Sequence, residues 1–350
     1  MAPVKSKKTS TDNTFYRSIN DKKPKYNSDR GKGLTMKLAT IGEILVEFVS
    51  HERNCALEKI TEYSGPYPSG APAIFLDQAA RMGAVTEMIG GVGSDAFGRS
   101  VLSRLRQDGV GVDGVKISEG FSTGTAFVTY FDNGTRDFIF HLDGTAVDQF
   151  TVPASLFEPA DTLLHVSASS LSVAPIRKII LEQVKSVSEA GGSVSFDPNA
   201  RPELLADPAT CDAIYAVMAQ STYILPSTSD LAFLYPKLSE DQALEKLFEA
   251  HVKIVALKRG AEGVRIMAQG QHYELTGHKV DEVDPTGAGD CFCGTFLSLI
   301  AQGVALLEAA EFANAAGAIA VTRRGPMEGN SNPEEITQFL KNAKPKALHL

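Results

Sequence analysis

The sequence has no tryptophan, only four cysteines, and no apolar run near the ~18 residues that a membrane-spanning helix needs. Without tryptophan, a pocket built to stack a nucleobase has less surface to draw on. Cys55, Cys211, Cys291 and Cys293 form no CxxC pair, and their spacing suggests neither a disulfide framework nor a zinc site. The seven histidines show no metal-ligand spacing, and no Walker A pattern occurs. The first residues are polar and lack the charged, apolar and small-residue order of a secretory signal. The expectation is a reduced, cytoplasmic protein with no membrane partner.

Charge is distributed unevenly. Residues 1–37 hold ten Lys/Arg and three Asp/Glu, while the remainder holds 24 basic and 39 acidic residues. A basic arm could meet an acidic surface. Its Lys, Ser, Asn and Asp content cannot bury a core, so residues 1–36 read as a disordered leader. Met36 just precedes the first strand-like run and could also start translation. The acidic body excludes nucleic acid as the main partner.

From residue 37 to about 345 the chain reads as one large α/β domain. Leu38–Val49 is mostly apolar and predicts one buried strand. Helices are expected at 73–82, 96–107, 173–190 and 240–250, with strands at 85–91, 162–167, 193–197, 222–226 and 253–258. This alternation predicts a mostly parallel sheet covered by helices on both faces. Two stretches break the rhythm. Residues 57–66 carry β-type residues, and 121–142 alternate around Asp132-Asn133-Gly134, a hairpin signal. Together they predict a small β lid over the C-terminal edge of the sheet, where open α/β sheets bind ligands. Phe138 and Phe140 in that lid are expected to pack rather than bind. Gly91–Gly98 spells GxGxxxxG and lacks the spacing of a dinucleotide fingerprint.

The most informative stretch is Glu282–Phe296, EVDPTGAGDCFCGTF. A strand is expected at 280–283 and an apolar helix at 291–302. The backbone N–H groups of Gly287, Ala288 and Gly289 would lie at the helix start and favour an anion. A carboxylate there would repel a phosphate, so Asp290 points to chemistry: it could take a proton from an attacking hydroxyl.

These residues resemble the ribokinase-like (PfkB) carbohydrate kinases over roughly 38–340. The family's C-terminal signature is similar to DPTGAGDCFCGTF, and its N-terminal signature is similar to Gly70–Gly98. The resemblance implies a ribokinase-like three-layer α/β sandwich with a mostly parallel central sheet and a small β lid. It implies an ATP-dependent sugar kinase with Mg2+, a monovalent cation as a further option, and a homodimer formed through the lid. Asp290 would be the catalytic base. Glu47, Gly70, Ala71 and Arg201 would bind sugar, Arg201 lying in a segment similar to FDPNxR, and Arg136 in the lid would supply the extra cation that a sugar-acid substrate calls for. Ser227, Lys258, Gly260, Gly263 and Asn314 would hold the nucleotide. Asp230 would stand near the metal, in a Ser-Thr-Ser-Asp that replaces the family's Asn-x-x-Glu. Ile74 fills the place of the family's sugar-pocket Asn.

The pattern is most similar to the tagatose kinase branch, which implies transfer of the γ-phosphate of ATP to a ketohexose, D-tagatose giving D-tagatose 6-phosphate. Fructokinase and 2-keto-3-deoxygluconate kinase are the alternatives. A non-catalytic sugar sensor on the same fold is the reading from another class.

Overall fold

The computed structural model describes residues 36–156, 158–199, 207–248, 252–342 and 347–349. The chain lays down β1 (Lys37–Ile41), β2 (Leu45–Ser50), β3 (Tyr63–Ser69), α1 (Ala71–Arg81), β4 (Thr86–Gly93) and α2 (Ala96–Gln107). Next come β5 (Gly111–Ser118), β6 (Gly124–Tyr130), β7 (Arg136–His141), β8 (Thr162–Ser167), α3 (Ala174–Glu189) and β9 (Ser193–Asp197). They are followed by α4 (Pro208–Met218), β10 (Tyr223–Ile224), α5 (Thr228–Leu234), α6 (Glu240–Phe248), β11 (Ile254–Lys258), β12 (Gly263–Ala268) and β13 (Gln271–Thr276). The last elements are α7 (Ala288–Ala301), α8 (Leu306–Ala320), α9 (Pro333–Asn342) and β14 (Ala347–His349).

Among the described residues the main sheet has ten strands, ordered β14-β13-β12-β11-β10-β9-β8-β1-β4-β5. All pairings from β11 across to β5 are parallel. The β12–β14 edge is antiparallel. Central strands are buried on both faces, and their side chains divide by alternation. Leu38 and Leu163 join Phe75 and Phe296 under α1 and α7, while Ala39 and Leu164 join Ile180 and Val217 under α3 and α4. This is the helix–sheet–helix layering of the ribokinase-like fold. Among the described residues no helix is long and apolar enough to cross a membrane.

A second sheet has the order β3-β2-β6-β7. The β2–β6 pair is parallel, and the two outer pairs are antiparallel. The apolar run at 38–49, expected as one strand, is therefore two. β1 pairs with β4 and β8 in the main sheet, while β2 pairs with β3 and β6 in the second. Both halves are buried, so hydrophobicity alone gives no sign of the break at Gly42–Ile44. The expected strand within 57–66 begins only at Tyr63. No strand forms at 280–283; instead the amides of Val283 and Asp284 both donate to the Val321 carbonyl, which ties this segment to the end of α8. The Gly91–Gly98 motif runs from the end of β4 through a short turn into α2 and is clamped by Asp95. Its carboxylate caps α2 by accepting from the Gly98 amide at 2.8 Å and holds the Thr123 amide at 2.7 Å, at the entry to β6.

Helices α1 and α7 meet almost backbone to backbone. A Cβ added to Gly294 would stand 2.5 Å from the Phe75 carbonyl oxygen. Gln78 crosses between them and donates to Thr295 Oγ1 at 2.9 Å. Behind this contact lies a polar cluster. Asp77 is fully buried, with Arg81 at 3.4 Å and Arg104 at 3.7 Å, and accepts from Asn330 Nδ2 at 2.5 Å. Asn330 in turn accepts from the Cys291 thiol at 2.6 Å. The N-termini of α1 and α7 thus reach the same cavity from a braced pair.

Candidate active site

A cavity of about 990 Å³ opens between the C-terminal edge of the parallel strands and the second sheet. One end is built from the Pro285–Asp290 turn. Gly287 is the N-cap of α7 at φ 81°, a left-handed conformation that glycine adopts without penalty. A Cβ there would also strike the Pro326 carbonyl oxygen at 2.3 Å. The first helical bond runs from the Cys291 amide to the Gly287 carbonyl. The amides of Gly287, Ala288 and Gly289 precede it and have no acceptor within the helix. Asp290 sits one step further on, 9% exposed, with its side chain on the cavity wall.

Two side chains from strand ends on either side of β10 complete this end. Lys258, closing β11, donates from Nζ to Asp197 Oδ2 at 2.5 Å. Asp197 ends β9 and is 2% exposed. A Cβ added to Gly289 would lie 3.5 Å from Lys258 Nζ, so the ammonium stands directly against the α7 turn. Burial pulls the Lys258 pKa down, but Asp197, with Cys293 and Asp230 adding to it, holds it above its ordinary value. The result is a fixed positive charge beside unpaired amides, an arrangement suited to phosphate.

The other end is made mostly of side chains from the second sheet and α1. Alternation along β2 and β6 puts Leu45, Glu47 and Val49 on one face with Ala126, Val128 and Tyr130. The pairing of β6 with β7 adds Arg136, Phe138 and Phe140 to that face. Glu47 is 3% exposed and accepts from Ser69 Oγ at 3.1 Å. Glu43 accepts from the hydroxyls of Ser169 at 2.7 Å and Ser170 at 2.5 Å. Gly70, the N-cap of α1 at φ 107°, approaches Glu43 so closely that a Cβ would lie 2.4 Å from its carbonyl oxygen. Asp143, Asp148 and Ile74 also line the cavity.

The structure brings together Asp290, Gly287, Gly289, Glu47, Gly70, Ala71, Arg136, Ser227, Lys258, Gly260 and Asp230 on one cavity. Two of the expected nucleotide residues stand apart from that wall. Gly263 opens β12, where the Leu275 carbonyl would be 2.0 Å from any Cβ. Asn314 donates its side-chain amide to the Thr276 carbonyl at 2.9 Å and joins α8 to the end of β13. Arg201 lies outside the described residues. Ser227 and Asp230 form a capping box at the start of α5, where Asp230 Oδ2 accepts from the Ser227 amide at 2.6 Å and hydroxyl at 2.7 Å. Burial, with Asp197 nearby, raises the Asp230 pKa.

Phe138 and Phe140, expected only to pack, stack on each other at 5.2 Å and also line the cavity, with Arg136 5.6 Å above the Phe138 ring. Sequence reasoning missed Glu43, Asp143 and Asp148, and it gave no partner to Lys258. The Glu43 signal was its place directly after Gly42 at the end of a buried strand. Asp197 is the Asp of the FDPNxR-like segment, and its meeting with Lys258 joins residues 61 apart. Among the described residues no group of three or more His, Cys, Asp or Glu could cage a metal ion.

Comparison with known proteins bears on this geometry. The sequence model of the pfkB family carbohydrate kinases matches residues 35–333. Fructokinase-1 of Zea mays is 31% identical over 322 residues, covering 87% of this chain and 98% of that one. A fructokinase of Vibrio alginolyticus is 32% identical over 282 residues, covering 78% and 91%. Among solved structures, a protein from E. coli described as ribokinase II, in complex with ATP and Mg2+, superposes with a TM-score of 0.80 at 38% identity, covering 88% and 99%. A Vibrio cholerae fructokinase double mutant bound to fructose, ADP and potassium superposes with a TM-score of 0.73 at 25% identity, covering 87% and 99%.

Proposed function

This chain belongs to the pfkB family of carbohydrate kinases, and on that premise we propose that it transfers the γ-phosphoryl group of ATP to a hydroxyl of a neutral ketohexose, with fructose the lead substrate. The observation that carries the reading is the meeting of Asp290, Gly287, Gly289 and Lys258 on one cavity with Glu43 and Glu47. Fructose takes precedence over tagatose because the relatives described above include fructokinases. Ketogluconate fits less well. Glu43, Glu47, Asp143 and Asp148 surround the sugar end, with Arg136 as the cation facing them, and a substrate carboxylate would be repelled. A sensor without catalysis has no use for a carboxylate beside a phosphate cradle.

In the proposed reaction Glu43, Glu47 and the Gly70–Ala71 turn orient the sugar. Asp290 accepts the proton of the attacking hydroxyl. The amides of Gly287, Ala288 and Gly289 and the Lys258 ammonium hold the transferring oxygens, positioning and charge being most of what phosphoryl transfer asks of a protein. Lid residues Phe138 and Phe140 shield the sugar end from water, the competing acceptor.

Mg2+ fits this site in the usual manner for nucleotides, held mostly by phosphates and water with one carboxylate nearby. Asp230 is our candidate for that carboxylate, although its Oδ2 is engaged in the capping box. When bound, the ion offsets phosphate charge. Ser227 and Gly260, on the same wall, are assigned to the nucleotide side, whereas Gly263 and Asn314 stand behind it and act through β12 and α8. A cytoplasmic location and a homodimer through the lid belong to the same proposal. Ile139, 43% exposed on the lid face away from the cavity, gives the dimer an apolar contact.

An ADP-release assay with fructose, tagatose, 2-keto-3-deoxygluconate and no sugar, with and without potassium, tests the reading. Fructose-dependent ADP release is expected, with a sugar phosphate seen by 31P NMR. ADP release that ignores every sugar would sink it. Light scattering reads the oligomeric state.

A further inference from the structure

The phosphate turn is held from the lid through the phenol of Tyr130. Tyr130 ends β6, points to the cavity side of the lid and is 6% exposed. Its hydroxyl donates to Asp284 Oδ1 at 2.5 Å and lies 2.5 Å from Thr286 Oγ1. Because the phenol proton goes to the carboxylate, the Thr286 hydroxyl donates to the phenol oxygen. Asp284 is fully buried and gathers three donors. Besides Tyr130, it accepts the Thr286 amide at 3.0 Å and the Gly325 amide at 2.9 Å.

The residue after Thr286 is Gly287, the N-cap of α7 and the first amide of the cradle. Tyr130 therefore reaches the residue before the cradle by one direct hydrogen bond and by a second route through Asp284, yet it is not on the cavity wall and would touch neither reactant. Its ring sits in a small separate core with Val49 and Val128, against Tyr67 and Phe138. Tyr67, from β3, also packs on Gly325, the other end of the Asp284 bridge: a Cβ there would lie 2.7 Å from the Tyr67 ring. The two backbone segments that meet at Asp284 are thus both gripped by lid tyrosines. Burial, with Asp284 and Glu47 close by, pushes the Tyr130 pKa well above the ordinary phenol value, so it remains a donor at any working pH.

We propose that Tyr130 is a positioning residue for phosphoryl transfer, which fixes Thr286-Gly287 so that the seating of the lid on the sugar and the aim of the cradle amides are set together. The part that concerns turnover rests on the function proposed above; the part that concerns the turn does not. The variant Tyr130→Phe keeps the ring in its core and removes only the hydroxyl.

In the full-length protein without ligands, amides of the 284–291 segment are expected to exchange hydrogen faster in Tyr130→Phe, while those of β8 and β9 stay at the wild-type rate. With sugar and ATP, kcat is expected to fall by about 10- to 100-fold, the scale of a small misplacement, with the KM for ATP changed far less. Thr286→Val should lose a similar factor, and the double variant should lose little more than either alone. Wild-type exchange in the 284–291 segment overturns the proposal whether or not the wild type turns over any sugar. Faster exchange spread equally over β8 and β9, with a lowered Tm, also overturns it, because the phenol would then be ordinary core.

Discussion

The two ends of the cavity are made of different materials. The phosphate end is largely backbone: a left-handed glycine, three amides without helical acceptors, and two charges fixed on each other at strand ends. The sugar end is side chain, drawn from three lid strands and the start of α1. Backbone amides can come from any residue, so apart from Gly287, whose φ and closeness to Pro326 require glycine, the phosphate end can be kept while sequences diverge around it. Side chains can be exchanged singly, so the sugar end is where substrate preference can drift. Ile74 illustrates the point: it lines the sugar end, yet its methyl would touch a Cβ on Gly287 at 3.3 Å.

If this division holds, variants at the two ends should fail in different ways. The largest effect is expected at Asp290. Asp290→Asn should lower kcat by about 10²–10⁴-fold with ATP binding and fold retained, read by steady-state kinetics and nucleotide titration. Near-normal turnover would remove the base from the phosphate end.

Lys258→Met should cost both activity and stability. Asp197 is 2% exposed, and stranding a charge of that kind costs about 3–5 kcal/mol. Urea unfolding should show the loss, and adding Asp197→Leu should restore part of the stability without restoring turnover. Recovery of turnover in the double variant would mean that the pair is only a brace.

Glu47→Gln should act on the sugar alone. A hydrogen bond to a charged group is worth about 1.5–3 kcal/mol, which predicts a rise of roughly 10- to 100-fold in the KM for sugar with the KM for ATP unchanged. Equal changes in both would erase the division between the ends.

The smallest effect is expected behind both ends. Burial, with Asp108 adjacent, pushes the Asp77 carboxyl above its ordinary value, against the pull of Arg104 and Asn330. A carboxyl whose pKa is raised on folding favours the folded state below its unfolded value, and this contribution is lost as pH rises through the folded value. Wild-type stability should therefore fall relative to Asp77→Asn as pH rises from about 4. Parallel pH profiles of Tm for the two proteins would show that Asp77 does not titrate there.

The same contrast governs what could be read from the sequence. The phosphate turn was legible because its parts are neighbours in the chain: Thr286 to Asp290 are consecutive, and glycine states its own backbone demand. The βα alternation was legible for the same reason, and the limits of α2, β8 and β9 agree with their hydrophobic spacing. The break between β1 and β2 was hidden, because both sides are apolar and only the change of pairing partners separates them. The β12–β13 hairpin was hidden too, since the glycines of the Lys258–Gly263 turn that leads into it suit a phosphate loop as well as a reversal between strands. Glu43 and the Lys258–Asp197 pair are products of tertiary contact, which spacing along one chain does not report.

The near-contact of α1 and α7 at Gly294 has a consequence for which hydroxyl can react. In the proposed reaction the sugar is held at the start of one helix and phosphorylated at the start of the other, and the two helices are pressed together until backbone meets backbone. The span between grip and reaction is thus a fixed length, like the gap of a caliper. A sugar whose free hydroxyl stands one carbon nearer or farther from its gripped end would present it off by about 1.5 Å, one carbon–carbon bond. Misplacement on that scale can cost about 10²-fold in rate. Regiochemistry would then be set by chain length along the sugar, and a side chain as small as alanine at position 294 would reset the caliper.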